Sequence, residues 1–218
     1  MTSRSSSFGR RGRIGAVFVA MTLLPVTACT GGGTTPGATA APATSSPAAS
    51  PTPTATPTPT ASYKPADASG RAQNVPVPVL PEAAKAETKE GLEAFARYWY
   101  SLLNYAYETG DLSLIKAISS STCALCGKVF PGIEKWNAGG RWIVGATLTV
   151  HAVQSTFVRT DAGDFQVAIQ SQQASGSLKN PDGTEAQSVT ESGMLGDLLV
   201  AKHENGSWAV KNVDRLGG

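Results

Sequence analysis

The chain has 218 residues, with 18 Lys and Arg against 16 Asp and Glu, a formal net charge of +2. Four of the arginines, Arg4, Arg10, Arg11 and Arg13, precede Cys29; without them 14 basic residues face 16 acidic ones, a balance of −2. No basic stripe of the kind a nucleic-acid surface requires is present, so nucleic acid is excluded as an expected partner.

Residues 1–13 are polar and carry those four arginines. Residues 14–24, IGAVFVAMTLL, are an apolar run of eleven, short of the roughly 20 a spanning helix needs. Pro25 ends the run, and Val26-Thr27-Ala28-Cys29 follows. A basic head, a short apolar middle and small residues before a cut predict a secretory signal peptide over residues 1–28. The last four residues resemble the lipobox of bacterial lipoproteins: aliphatic Val26, small Thr27 and Ala28, then the cysteine. The resemblance implies cleavage between Ala28 and Cys29 and a diacylglyceryl group on the Cys29 thiol. The protein would then be lipid-anchored at the extracytoplasmic face of the cell membrane. One acyl chain holds marginally and two hold firmly, at about 0.8 kcal/mol per buried methylene. An ordinary secreted protein with a chance cysteine is the alternative. Arg10-Arg11 hints at twin-arginine export, but Gly12-Arg13 stands where that signal wants apolar residues.

Residues 30–62 contain only Thr, Gly, Pro, Ala and Ser. Such a stretch cannot build a core to offset the entropy of ordering. Its Pro-Thr repeat, PTPTATPTPT over residues 51–60, favours extended polyproline geometry, and the whole stretch reaches on the order of 100 Å. The expected organisation is a signal peptide over 1–28, a lipidated stalk over 29–77, and one globular domain over 78–216.

In that domain Pro81 suits a first helical position and Glu82 the N-terminal dipole. Ala84, Thr88, Leu92, Phe95, Trp99, Leu102 and Ala106 then step by three or four, which predicts one long helix with Gly91 weakening its middle. Gly110 is its stop, and Asp111 the cap of a short second helix over 112–119. A third helical stretch covers 124–137, interrupted near Pro131 and stopped by Gly139-Gly140.

After Gly140 the period changes to two. Val144, Ala146, Leu148 and Val150 face one way, with Thr147, Thr149 and His151 opposite. Beyond a turn at 161–164, Phe165, Val167 and Ile169 alternate with Gln166 and Gln170. A second turn falls at 180–183. Two last strands, 198–203 and 208–213, flank Asn205-Gly206, a strong hairpin signal. Helices first and a meander after read as α+β: N-terminal helices packed on a mostly antiparallel sheet of about four strands.

A helix ending in LNYAYETGD (103–111), a short second helix and a curved antiparallel sheet resemble the nuclear transport factor two-like superfamily, which includes ketosteroid isomerases and polyketide cyclases. The resemblance implies a cone-like domain. More narrowly, the lipobox, the Pro/Thr stalk, the Tyr-Ala-x-x-Thr-Gly-Asp helix end and the Cys-x-x-Cys after it are similar to a family of actinobacterial lipoproteins. That family has an uncharacterised domain and offers no activity to carry over.

Cys123-Ala124-Leu125-Cys126 admits four readings. Zinc needs about four ligands, and only His151 and His203 could join. A thioredoxin-like pair would follow a strand in a βαβ unit. Two free thiols would be unusual outside the cell. The expected state is a structural disulfide, since residues three apart in a helical turn meet its Cα separation. For chemistry, Tyr98, Tyr105, Glu108 and Asp111 are the candidates for an isomerase-type pocket, but capping and packing account for them. Ser119-Ser120-Ser121 has no base beside it.

Catalytic residues, metal and cofactor are therefore expected to be none. The expected function is a non-catalytic binding domain presented at the cell envelope to an envelope protein or a small apolar ligand. Its contacting face would be Thr147, Thr149, His151, Gln166 and Gln170. The alternative is an isomerase- or cyclase-like enzyme using a cone-shaped pocket.

Overall fold

The computed structural model describes residues 61–217. Ala28, Cys29 and the stalk up to residue 60 lie outside the described residues. In chain order, a 3-10 turn (Glu82–Lys85) leads to helices α1 (Lys89–Thr109), α2 (Ser113–Ala117) and α3 (Ala124–Asn137). Seven strands follow: β1 (Trp142–Gly145), β2 (Leu148–Gln154), β3 (Phe165–Gln173), β4 (Gly176–Lys179), β5 (Glu185–Val189), β6 (Leu195–Glu204) and β7 (Ser207–Leu216).

Helix α1 forms where the apolar stripe predicts and buries Leu92, Phe95, Trp99, Leu102 and Ala106. It starts at Lys89, however, not at Pro81. Two carbonyls that a continuous helix would use are taken by strand residues instead. Trp208 Nε1 donates to Ala86 O at 3.0 Å, and His203 Nε2 lies 3.0 Å from Lys85 O. The chain therefore breaks and restarts at Thr88, whose hydroxyl caps the Gly91 N–H at 3.0 Å. Gly91 belongs to this first turn, not the middle. A Cβ there would lie 2.2 Å from Ala86 O and 2.8 Å from Ala83 O, so glycine lets the turn and the helix touch. Gly110 ends α1 in the left-handed region, at φ 80°. Helix α3 runs through Pro131 without the expected interruption.

The expected four-stranded antiparallel sheet is present, in the order β2-β3-β6-β7. A second sheet, β1-β4-β5, lies beyond the expectation. The β1–β2 run bends at Gly145 and Ala146, at φ 68° and 57°. Hydrogen bonds carry the pairing across the bend, Ala146 N–H to Ser175 O at 3.0 Å and Ala174 N–H to Thr147 O at 2.9 Å. Gly176 permits the fold-over, since a Cβ there would meet Val144 O at 2.4 Å. One long hairpin thus serves two sheets. β5 is exposed at four of its five positions, so no alternation announces it.

Phe165, Val167, Ile169, Leu199, Val210 and Val213 make the inner face of the larger sheet, buried with the α1 stripe in one core.

Residues 61–77, read from sequence as stalk, are part of this domain. Lys64 and Gln73 exchange backbone hydrogen bonds of 3.0 and 2.8 Å. Trp142 Nε1 donates to Asp67 O at 2.8 Å, and Arg71 Nη2 to Asn137 O at 2.7 Å. These partners come from distant elements, so local composition does not reveal them. Tyr63 Oη donates to Glu108 at 2.7 Å. That hydrogen bond, with burial and the carboxylate charge, raises the Tyr63 pKa from 10.0 to about 12. The neutral phenol is the bonded form, so the bond is fully present below pH 10 and lost as pH rises through about 12. Alkaline tyrosinate titration should show one step near 12 that Tyr63→Phe removes and Glu108→Gln moves back toward 10. A Tyr63 that titrates at 10 in the parent would show that the strap is not held.

Candidate ligand-binding site

Three side chains of α1, Tyr100, Leu103 and Tyr107, point inward at helical spacing. They meet Leu125, Lys128 and Val129 of α3 and one residue from each strand of the larger sheet: Leu148, Gln173, Leu195 and Arg215. The half-open cavity they line measures about 340 Å³. Both long helices and all four strands contribute to it, so it is a product of the whole fold.

Behind its wall lies a polar cluster. Asp197 on β6 is 0% exposed. It occupies an inward position of the alternation that continues with Leu199 and Ala201. Tyr100 Oη donates to its Oδ2 at 2.5 Å, and Arg215 Nε donates to its Oδ1 at 2.5 Å. Arg215 Nη2 adds a longer contact of 3.4 Å to Oδ2. Both carboxylate oxygens are thus engaged, and the buried charge is paired. Burial first, then the Asp197 bond and charge, hold the Tyr100 pKa well above the ordinary phenol value. Burial likewise raises that of Tyr107. Both phenols stay protonated and can only donate or accept hydrogen bonds. The Ser171 hydroxyl, beside Tyr100, is buried without completing a hydrogen bond.

A general base needs an acceptor lone pair aimed at the substrate, whereas Asp197 is 0% exposed, accepts from Tyr100 and Arg215 and is not among the residues that line the cavity. Among the described residues no group of three or more His, Cys, Asp or Glu is placed to hold a metal ion. No described helix is long and apolar enough to cross a membrane.

The residues singled out from sequence lie elsewhere. Thr149, His151, Gln166 and Gln170 are exposed on the sheet face opposite α1, and Thr147 is half-buried at the bend. Register places Gln170 across from Ala152, with a bulge at His151. Of Tyr98, Tyr105, Glu108 and Asp111, only Tyr105 and Glu108 share a groove, beside Tyr63, while Tyr98 and Asp111 lie outside it. Glu108 accepts from Tyr63, and Asp111 Oδ1 accepts the Ser113 N–H at 2.8 Å from one residue before Leu112, which holds the cap position of α2. Cys123 and Cys126 are bonded to each other, with Cα atoms 5.2 Å apart. Cys123 caps α3, its sulfur 3.3 Å from the Cys126 N–H.

Tyr100, Tyr107, Lys128, Gln173, Asp197 and Arg215 are not singled out by the sequence. One signal is present there: Tyr100, Leu103 and Tyr107 form a second stripe beside the first.

A groove of similar volume, about 340 Å³, runs beside the disulfide between Lys116, Ser120, Phe130 and Glu134. Its two charges are already paired at 2.5 Å, and no buried polar group faces it.

Among curated proteins, none matches the sequence. Similar solved structures include the intermembrane space region of chloroplast protein ARC6, 9% identical, with 60% of this chain and 98% of that chain covered and a TM-score of 0.43. Another is Aln2 from a Streptomyces species, 7% identical, with 57% and 91% covered and a TM-score of 0.36. A family model described as a family of unknown function, DUF6318, matches residues 61–214, and the chain belongs to that family.

Proposed function

We propose that this protein is a lipid-anchored extracytoplasmic lipoprotein whose domain binds a ligand in the cavity between helices and sheet and leaves it chemically unchanged. The observation that carries the binding reading is that Asp197 is held by Tyr100 and Arg215 and buried behind a cavity whose walls are mainly apolar, with Lys128 and Arg215 among them. The signal peptide, the Val26-Thr27-Ala28-Cys29 lipobox and the Pro/Thr stretch support display on a tether. The resemblance to actinobacterial lipoproteins and to nuclear transport factor two-like domains points the same way. In this reading the exposed face of Thr149, His151, Gln166 and Gln170 is what an envelope protein would meet.

Replacing Cys29 by Ser in the full chain should abolish lipid labelling and move the protein from membrane to soluble fractions. Unchanged fractionation with membranes contradicts the anchor. The isomerase- or cyclase-like alternative draws on one observation, a Tyr–Asp pair close to a cavity. Turnover in a screen of such substrates, lost in Asp197→Asn with the fold intact, would replace the binding reading by that one.

A further inference from the structure

We propose that the cavity takes a single-chain amphiphile with an anionic carboxylate head and about ten carbons in all, an inference that rests on the binding reading above. Three observations carry it. The first is charge. The cavity lining contains two cations, Lys128 and Arg215, and no acid. Asp197, behind the wall, neutralises only one of them. Among the described residues Lys128 has no carboxylate within ion-pair distance, so a net positive charge is left for a ligand.

The second is donor geometry. Arg215 spends its Nε and one Nη2 position on Asp197. A guanidinium has five N–H groups in a planar fork, so its Nη1 edge remains to meet a second carboxylate. Tyr107 and Gln173 line the same cavity and add neutral donors. Asp197 thus does for Arg215 what an outer partner does for a ligand-contacting group: it fixes its orientation.

The third is size and polarity. Leu103, Leu125, Val129, Leu148 and Leu195 supply the remaining walls. At roughly 30 Å³ per water-sized group, 340 Å³ holds about eleven heavy groups. That suits one medium chain with its head. A shallower extension of about 200 Å³ continues past Tyr107, Lys128 and Val129 to Trp136. Lys128 therefore stands at the junction, where a head group would be held.

The test uses the purified full chain in lipid nanodiscs, with empty discs as background, titrated calorimetrically with decanoate, decanol and decyltrimethylammonium. Decanoate should saturate one site and the cation should not bind. Lys128→Glu should weaken decanoate by about tenfold or more and Lys128→Arg should retain it. Lys128 is exposed, so both variants should melt with the parent. Leu195→Trp, which fills the cavity, should abolish binding. Decanol or the cation binding as tightly as decanoate overturns the anionic-head inference and leaves a binding cavity standing. Absence of saturable binding by all three overturns the inference together with the cavity reading.

Discussion

Replacing Asp197 by Ala is expected to destabilise the domain by about 3 kcal/mol, the low end for breaking a buried ion pair from one side. Two groups lose their partner. The Tyr100 hydroxyl, on a side chain only 1% exposed, is left buried with only the Ser171 hydroxyl beside it. The Arg215 guanidinium has a partly exposed side chain, 34%, and can turn toward water, which keeps the cost from reaching the upper end. For a domain of this size the loss corresponds to about 6–12 °C in Tm. Tyr100→Phe removes one hydrogen bond and should cost about 1 kcal/mol, although it leaves an oxygen of Asp197 short of a donor. Asp197→Asn should fall between them. Thermal unfolding followed by circular dichroism measures the series. If Asp197→Ala melts with the parent, the cluster is not the buried network described above.

Trp208→Ala should cost about 4 kcal/mol, in the range for emptying a large aromatic site. Trp208 is 3% exposed. Its ring stacks near Phe95 at 6.3 Å between centroids and meets Phe165 and His203 edge-on at 5.5 and 4.8 Å. Its N–H also holds Ala86 O, at the break where α1 restarts. The loss should therefore be partly local, with faster amide exchange at Gly91 and Leu92, the first bonded amides after Thr88. Trp208→Phe keeps most of the packing and loses the N–H, so it should cost less overall while still releasing those amides. Exchange at Gly91 and Leu92 that stays at the parent rate in both variants would separate Trp208 from the helix start.

What could be read from the chain alone followed how local the cause was. The span of α3, the left-handed stop at Gly110 and the Asn205-Gly206 hairpin depend on residues within a few positions of one another. So does the Cys123–Cys126 bond. The alternation of Phe165, Val167 and Ile169 with Gln166 and Gln170 needs only one covered face. The break before α1 depends on Trp208 and His203, more than a hundred residues away, so no window around Pro81 contains it. The second sheet depends on positive φ at Ala146, a residue type that does not advertise it. The strap over 61–77 is hidden by the composition of the tail it continues. The cavity is least legible of all, because Tyr100, Asp197 and Arg215 come from α1, β6 and β7 and acquire meaning only together. Beside the second α1 stripe of Tyr100, Leu103 and Tyr107, an aspartate at an inward strand position before Leu199 and Ala201 is its other trace.

The most direct measurement of the central claim, that the cavity binds without transforming its ligand, is amide chemical-shift mapping with carbon-labelled decanoate, followed by recovery of the label. The account predicts shifts clustered at Leu125, Lys128, Leu148, Gln173, Leu195 and Arg215, and recovered decanoate that is chemically unchanged. Shifts confined to Thr149, Gln166 and Gln170 on the outer face, or a label returned as a different compound, would contradict it.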